Sequence, residues 1–187
     1  MTIQERITAL SQAIGTDVKT LYSRSHARLF SKLTAAISAI ANTETSVLSL
    51  SLPANTLAVG DTFKITAMGL HTNTLAASTS IYKIRIGSTT LTGAVAVSNS
   101  FDNGVIAKTN LIVKIEALLM VQSITASGTI LGQIHVDKGF TSPTVPTGGT
   151  SAVALNTTVA NLIELTFQSG AATTTHTFHA GIIELLR

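Results

Sequence analysis

Five histidines, at positions 26, 71, 135, 176 and 179, are the side chains best suited to hold a metal or move a proton. His176 and His179 stand three apart in a stretch whose alternation predicts a strand, so they point to opposite faces and cannot share one ion. His71 lies near a loop with no carboxylate at ligand spacing. His135 has Asp137 two residues on and on its own strand face, but a lone pair of this kind is more often a surface contact than a metal centre.

Nucleophilic chemistry has no better footing. Serine is abundant, yet the chain contains no G-x-S-x-G elbow and no S-x-x-K. Asp61, Asp102 and Asp137 occupy turn-like positions, where aspartate bonds to its own backbone. Gly148-Gly149 follows no phosphate-loop pattern. Asn156-Thr157-Thr158 is formally a glycosylation sequon, but no signal peptide accompanies it. With no cysteine, a disulfide framework and a thiolate zinc site are both excluded. The expectation is a non-enzymatic protein with no catalytic residues, no cofactor and no metal. Aromatics make up 4% of the chain and tryptophan is absent, which disfavours an aromatic glycan platform on one subunit. A groove between subunits, built from hydroxyls and amides, stays open as an alternative.

The elements that would position any site are easier to read. At 187 residues the chain accommodates one domain and an appendage. Only 11% of residues are charged against 45% hydrophobic, a balance that favours burial of surface against other subunits. Residues 1–42 hold five basic and two acidic side chains and so carry the whole net charge of +3. Those charges are too scattered for nucleic-acid binding. No apolar run approaches the ~20 residues of a membrane span, so no membrane insertion is expected. Glu5 and Arg6 interrupt what would be the core of a secretory signal, and synthesis in the cytosol follows.

Ile3, Ile7, Leu10 and Ile14 recur at helical spacing, and Gly15-Thr16-Asp17 suits a stop and restart. The segment therefore reads as one kinked helix or two, the second reaching about Ala41. In that second part Phe30, Leu33, Ile37 and Ile40 form an a/d seam of about two heptads, a short coiled coil whose isoleucines lean towards three strands. The alternative is a helix packed on its own β domain.

After Asn42 the period becomes two. Leu48, Leu50 and Leu52 alternate with serines; Phe63, Ile65 and Ala67 with Lys64 and Thr66; Tyr82, Ile84 and Ile86 with Lys83 and Arg85. Further strands are predicted at Leu91 to Val97, Leu111 to Val121, Ile130 to Val136, Asn161 to Phe167 and Thr175 to Leu186. Eight short strands with turn signals between them argue for a mainly β, eight-stranded antiparallel jelly-roll sandwich. The domain reading is a helical anchor or stalk over 1–42 and a β knob over 43–187. Leu111 to Val121 is apolar on both faces, which predicts either a subunit interface carried by Leu111, Val113, Ile115, Leu119 and Val121 or a position under the helical leader.

Two segments carry a resemblance. TIQERITALSQAIGTDVKTL, residues 2–21, is similar to short helices of structural and fibre proteins of tailed bacteriophages. SLSLPANTLAVGDTFKITAMG, residues 49–69, resembles the first strands of jelly-roll knobs in such virion proteins. Together they cover about a fifth of the chain. The resemblance implies a trimeric virion protein, a head fibre or a capsid decoration or cement protein, assembled in the host cytoplasm. Its N-terminal helix, through Ile3, Ile7, Leu10 and Ile14, would attach to the major capsid protein or another virion protein, and its β knob would face outwards, where a host cell surface is a further candidate partner. A receptor-binding tail-fibre tip or a lectin-like trimeric module is the other function it allows.

Overall fold

The computed structural model describes residues 2–26, 30–40, 42–74, 78–103, 107–139, 147–148, 152–170 and 174–187. A single helix, α1 (Ile3–His26), precedes twelve strands among these residues. Thr2 and Glu5 start α1 as a capping box: the Thr2 amide donates to Glu5 Oε2 at 2.6 Å and the Glu5 amide to Thr2 Oγ1 at 3.3 Å. The helix runs unbroken through Gly15, which faces open space, so the expected stop at Gly15 does not occur.

The second helix is replaced by strands. Phe30–Lys32 forms β1 and Ile37–Ile40 forms β2, and both pair antiparallel with β12 (Thr174–Leu186). Phe30, Ile37 and Ile40 of the predicted helical seam therefore lie on strands, with Leu33 between them donating its amide to Gly181 at 2.8 Å. The reason is tertiary. A three-four spacing across so short a stretch fits either structure, Ser31, Thr34, Ile37 and Ser38 are mediocre helix formers, and the edge of β12 offers a row of backbone groups to satisfy. The sheet thus begins at Phe30, thirteen residues before the predicted start of the β body at 43.

The remaining strands are β3 (Thr45–Leu52), β4 (Thr62–Asn73), β5 (Thr79–Gly87), β6 (Ala94–Asp102), β7 (Lys108–Ser123), β8 (Gly128–Lys138), β9 (Thr147–Gly148), β10 (Val153–Leu155) and β11 (Asn161–Ser169). One sheet runs β1-β12-β4-β7-β8-β10, with β2 on β12 and β9 on β8; the other runs β3-β11-β5-β6. All the pairings are antiparallel. Seven of the eight predicted strands lie where expected; the one predicted at Leu91 to Val97 is displaced to Ala94–Asp102, because residues 91–93 form the turn that precedes it, and β1, β2, β9 and β10 are additional.

The two sheets close on one core. Leu48, Leu50 and Leu52 meet Phe63, Ile65, Ile84, Leu119, Ile134, Ile163 and Phe178, all buried. The inward members of β7 are Val113, Ile115, Ala117, Leu119 and Val121, none more than 3% exposed. Val113, Ile115, Leu119 and Val121 are therefore core, and cannot form the subunit interface predicted for them. Leu111 is partly buried, and the apolar side chains that β7 leaves to solvent are Ile112, Leu118 and Met120. A strand apolar on both faces does have two surfaces to cover, but alternation alone does not say which one the chain's own second sheet takes.

Candidate functional site

Chain direction sorts the molecule into two ends. Strand ends Ile40, Asn73, Asp102, Lys138 and Ser169 and strand starts Thr45, Thr79, Lys108 and Thr174 gather at one end, as the pairs Thr174 with Asn73, Thr175 with Ile40 and Thr79 with Asp102 show. Phe30, Leu186, Thr62 and Met120 define the other end, where α1 leads into β1. We call these the distal and the helix end.

At the distal end a polar clasp ties four strands together. Thr174 Oγ1 donates to Asn73 Oδ1 at 2.9 Å and lies 2.8 Å from Ser78 Oγ. Asn103 Nδ2 donates to Ser78 Oγ at 2.8 Å and to Ser80 Oγ at 3.0 Å. Asn73, Ser78, Ser80, Asn103 and Thr174 are all buried, so these bonds replace water that the groups would otherwise need. Lys108 Nζ donates to the Asn103 carbonyl. The ends of β4, β5, β6 and β12 are thereby held as one rigid rim.

Beneath the rim lie two histidines. His71 on β4 and His176 on β12 are direct cross-strand partners, both fully buried. Their rings meet edge to face with centroids 6.1 Å apart. His176 Nδ1 shares a hydrogen bond with Tyr82 Oη at 2.8 Å and its ring stacks on Phe178 at 4.0 Å. Burial, the nearby Lys108 and Lys138, hold the His71 imidazole down at about 4. Burial together with His71 and His179 holds His176 at about 3. The same burial pushes the Tyr82 phenol up. Both imidazoles are thus neutral at physiological pH. Lys138 Nζ sits 3.6 Å over the Phe101 ring, and burial draws its pKa down as well.

A second cluster spans the outer face of the smaller sheet. Glu44, just before β3, reaches across β11 to β5: Arg85 Nε and NH2 donate to its two oxygens at 2.6 and 2.8 Å, Lys83 Nζ at 2.8 Å, and Thr166 Oγ1 at 2.5 Å. The Arg85 hydrogen bonds, opposed by burial and aided by Lys83 and Thr166, bring the Glu44 carboxyl to about 2. Glu164, 1% exposed, accepts from Ser46 Oγ at 2.9 Å and from the Leu91 amide at 2.8 Å. That second bond pins the β5–β6 connection where Leu91 takes a left-handed φ of 62°. Every oxygen of both carboxylates is engaged in holding chain segments together. Glu44→Gln should accordingly cost about 2–3 kcal/mol, because it removes the carboxylate that Lys83 and Arg85 share; urea denaturation at pH 7 measures it, and an unchanged midpoint would contradict the bracing role.

The residues singled out in the sequence are distributed as follows. Ile3, Ile7, Leu10 and Ile14 form one stripe on α1 with Val18, each between 53% and 79% exposed. Every described side chain from Thr2 to Val18 is exposed, so among the described residues α1 does not pack on its own sandwich. His176 points inward and His179 outward, at the bulge between Phe178 and Ala180. His135 and Asp137 share the outer face of β8, opposite Glu116 and Lys114. Gly149 lies outside the described residues. Among the described residues no three histidine, aspartate or glutamate side chains are grouped to hold a metal ion, and no helix is long and apolar enough to cross a membrane. The His71–His176 pair and the Glu44 cluster went unseen in the sequence, because both are made by register between strands far apart in the chain.

The fold thus defines a two-sheet antiparallel β-sandwich with an N-terminal helix. No protein-family model and no curated protein sequence matches it. Among solved structures the chain is similar to the CBM2 module of the evolved Dit of Lactobacillus casei BL23 phage J-1, at 11% identity and a TM-score of 0.33, covering 79% of this chain and 75% of that one. It is also similar to a chain of infectious bursal disease virus, Gx strain, at 12% identity and a TM-score of 0.32, covering 84% of this chain and 41% of that one. The VP2 subviral particle of infectious bursal disease virus gives 12% identity, a TM-score of 0.25 and coverage of 86% and 42%. The chain spans about two fifths of the length of those two bursal disease virus chains.

Proposed function

We propose that this protein is a non-enzymatic structural component of a virion, a head fibre or capsid decoration protein that grips the particle through α1 and holds its sandwich outwards as a homotrimer. The observation that carries the reading is the apolar stripe of α1, exposed along its described length and left without a partner on its own domain. An isolated 24-residue helix with five exposed aliphatic side chains needs another surface to be stable in water. Because α1 joins at the helix end, the clasped distal rim is the end free to face outwards. Strand order supports the jelly-roll form of the fold. Counting β1 and β2 as one interrupted strand and setting aside the predicted strand β8, which extends the larger sheet beside β7 together with β9 and β10, the sheets read 1-8-3-6 and 2-7-4-5, as a jelly roll does.

The test is attachment. Ile7→Asp combined with Ile14→Asp in the full chain should leave the β body intact by circular dichroism and reduce co-sedimentation with capsids at least tenfold. Undiminished decoration by the double variant would remove α1 as the anchor. The rigid polar rim favours a second reading, a receptor-binding fibre tip, in which labelled protein binds host cells and capsids lacking it still assemble and keep their stability.

A further inference from the structure

The outer face of the larger sheet is open across β1, β12, β4, β7 and β8. Phe30, Met68, Ile112, Leu118, Met120 and Leu186 project from it, each 43% to 58% exposed. Pairing places them in adjoining rows: Leu186, Thr62 and Met120 in one, Phe30, Glu184, Lys64 and Leu118 in the next, Met68 beside Ala180, and Leu70 beside Ile112. Two shallow hollows, of about 340 and 270 Å³, lie among them, one floored by Met68 and Ile182 and the other by Leu118. An antiparallel sheet with a solvated face would normally alternate apolar-in and polar-out. Here both faces carry large apolar side chains.

Charge decides what fits. The same face bears Lys32, Lys64 and Lys114 against Glu116, Asp137 and Glu184, with Lys114 and Glu116 bridged at 2.8 Å. It is neutral and holds both signs at intervals, so it complements itself and suits neither a polyanion nor an anionic membrane. Its extent also suits a subunit contact. The four long strands at about 4.8 Å spacing and about ten residues at about 3.4 Å each, with the three residues of β1 beside them, give roughly 700 Å², close to the ~800 Å² a partner contributes to a stable interface.

We infer that this sheet face is where one copy of the chain meets a second copy. The inference rests on the homotrimer of the reading above: around a three-fold axis one flank of this face meets the other flank of the next copy. Sedimentation velocity on the full chain at micromolar concentration tests it, with two independent variants. Ile112→Lys with Leu118→Lys should raise the dissociation constant at least a hundredfold. Glu116→Lys keeps every apolar contact and makes the face positive, and should weaken association at low salt with recovery at high salt. These side chains are exposed, so a circular dichroism spectrum equal to that of the wild type certifies the fold. Ile7→Asp with Ile14→Asp on α1 should leave sheet-mediated association in place. If neither sheet variant changes the size distribution while the helix variant dissociates the oligomer, the sheet-face inference is overturned and the oligomer stands. A wild-type monomer at these concentrations overturns both.

Discussion

Between pH 6.5 and 5 the β body should lose roughly 3–4 kcal/mol of stability, well above the range in which ordinary carboxylates titrate. The cause is the buried pair of His71 and His176. In the folded chain their imidazoles remain neutral down to about 4 and about 3, whereas in the unfolded chain each takes up a proton below about 6.5. Above pH 6.5 both states hold the pair neutral, and it adds no pH dependence. As pH falls through 6.5 the unfolded state binds more protons, so stability drops at up to about 1.4 kcal/mol per pH unit for each residue. The drop continues until the folded values are reached. Lys108 and Lys138 face His71 and reinforce its neutrality, and His179 does so for His176. Only then does Glu44 enter: its stabilisation is complete above 4.5 and disappears as pH falls towards about 2. Against a typical total of about 5–15 kcal/mol, the histidine loss removes roughly a fifth to four fifths of the stability before most carboxylates protonate. Urea midpoints at pH 7.5, 6, 5 and 4 measure it. His71→Gln should about halve the slope between 6.5 and 5, leaving the part that His176 carries. Equal midpoints at pH 7.5 and 5 would mean that the imidazoles are not sealed from water.

The histidine pair also shows where sequence reading reaches its limit. Alternation over Phe63 to Ala67 or Tyr82 to Ile86 exposes a buried face directly, because side-chain direction along a strand is local. Seven of the eight long strands were legible in place for that reason. Register is not local: nothing in the neighbourhood of either His71 or His176 says that they stand opposite one another. Glu44 is similar, since it lies outside a strand and finds its partners on β5 and β11. The segment 30–40 failed differently. Its spacing satisfies a helix, and only the open edge of β12, fixed at the far end of the chain, makes a strand the better outcome. The α1 stripe was legible, and so was the two-sided character of β7, but the choice of which side faces the core belongs to the packed sandwich.

Gly69→Ala should be among the most damaging single-methyl changes in the protein, preventing accumulation of folded chain where the same change at more yielding glycines is tolerated. A Cβ built on Gly69 lies 2.4 Å from the Thr177 carbonyl oxygen and 2.6 Å from His176 Nε2. The first obstacle is backbone. It belongs to the β4–β12 ladder that joins the middle of the larger sheet, so it yields only if the two strands part. The second is the ring of a histidine already fixed by Tyr82 and stacked on Phe178. Overpacking in a dense interior costs about 1–3 kcal/mol where side chains can adjust, and here neither neighbour can move without breaking a hydrogen bond in a dry core. Gly132→Ala supplies the comparison. Its Cβ meets the Leu119 Cδ2 methyl at 2.9 Å and Val97 side-chain atoms at 3.1 and 3.2 Å. Those are ends of side chains that can rotate or shift, so the cost should stay near 1–2 kcal/mol. Gly170→Ala meets backbone only at 3.5 Å or more, an ordinary contact, and should leave the midpoint almost unchanged. Urea midpoints and soluble yield, measured for all three, should rank Gly69 far below Gly132 and Gly132 below Gly170. A Gly69→Ala protein as stable as Gly132→Ala would mean that β4 and β12 are not locked at this point, and the neutral histidine core built on that lock would lose its foundation.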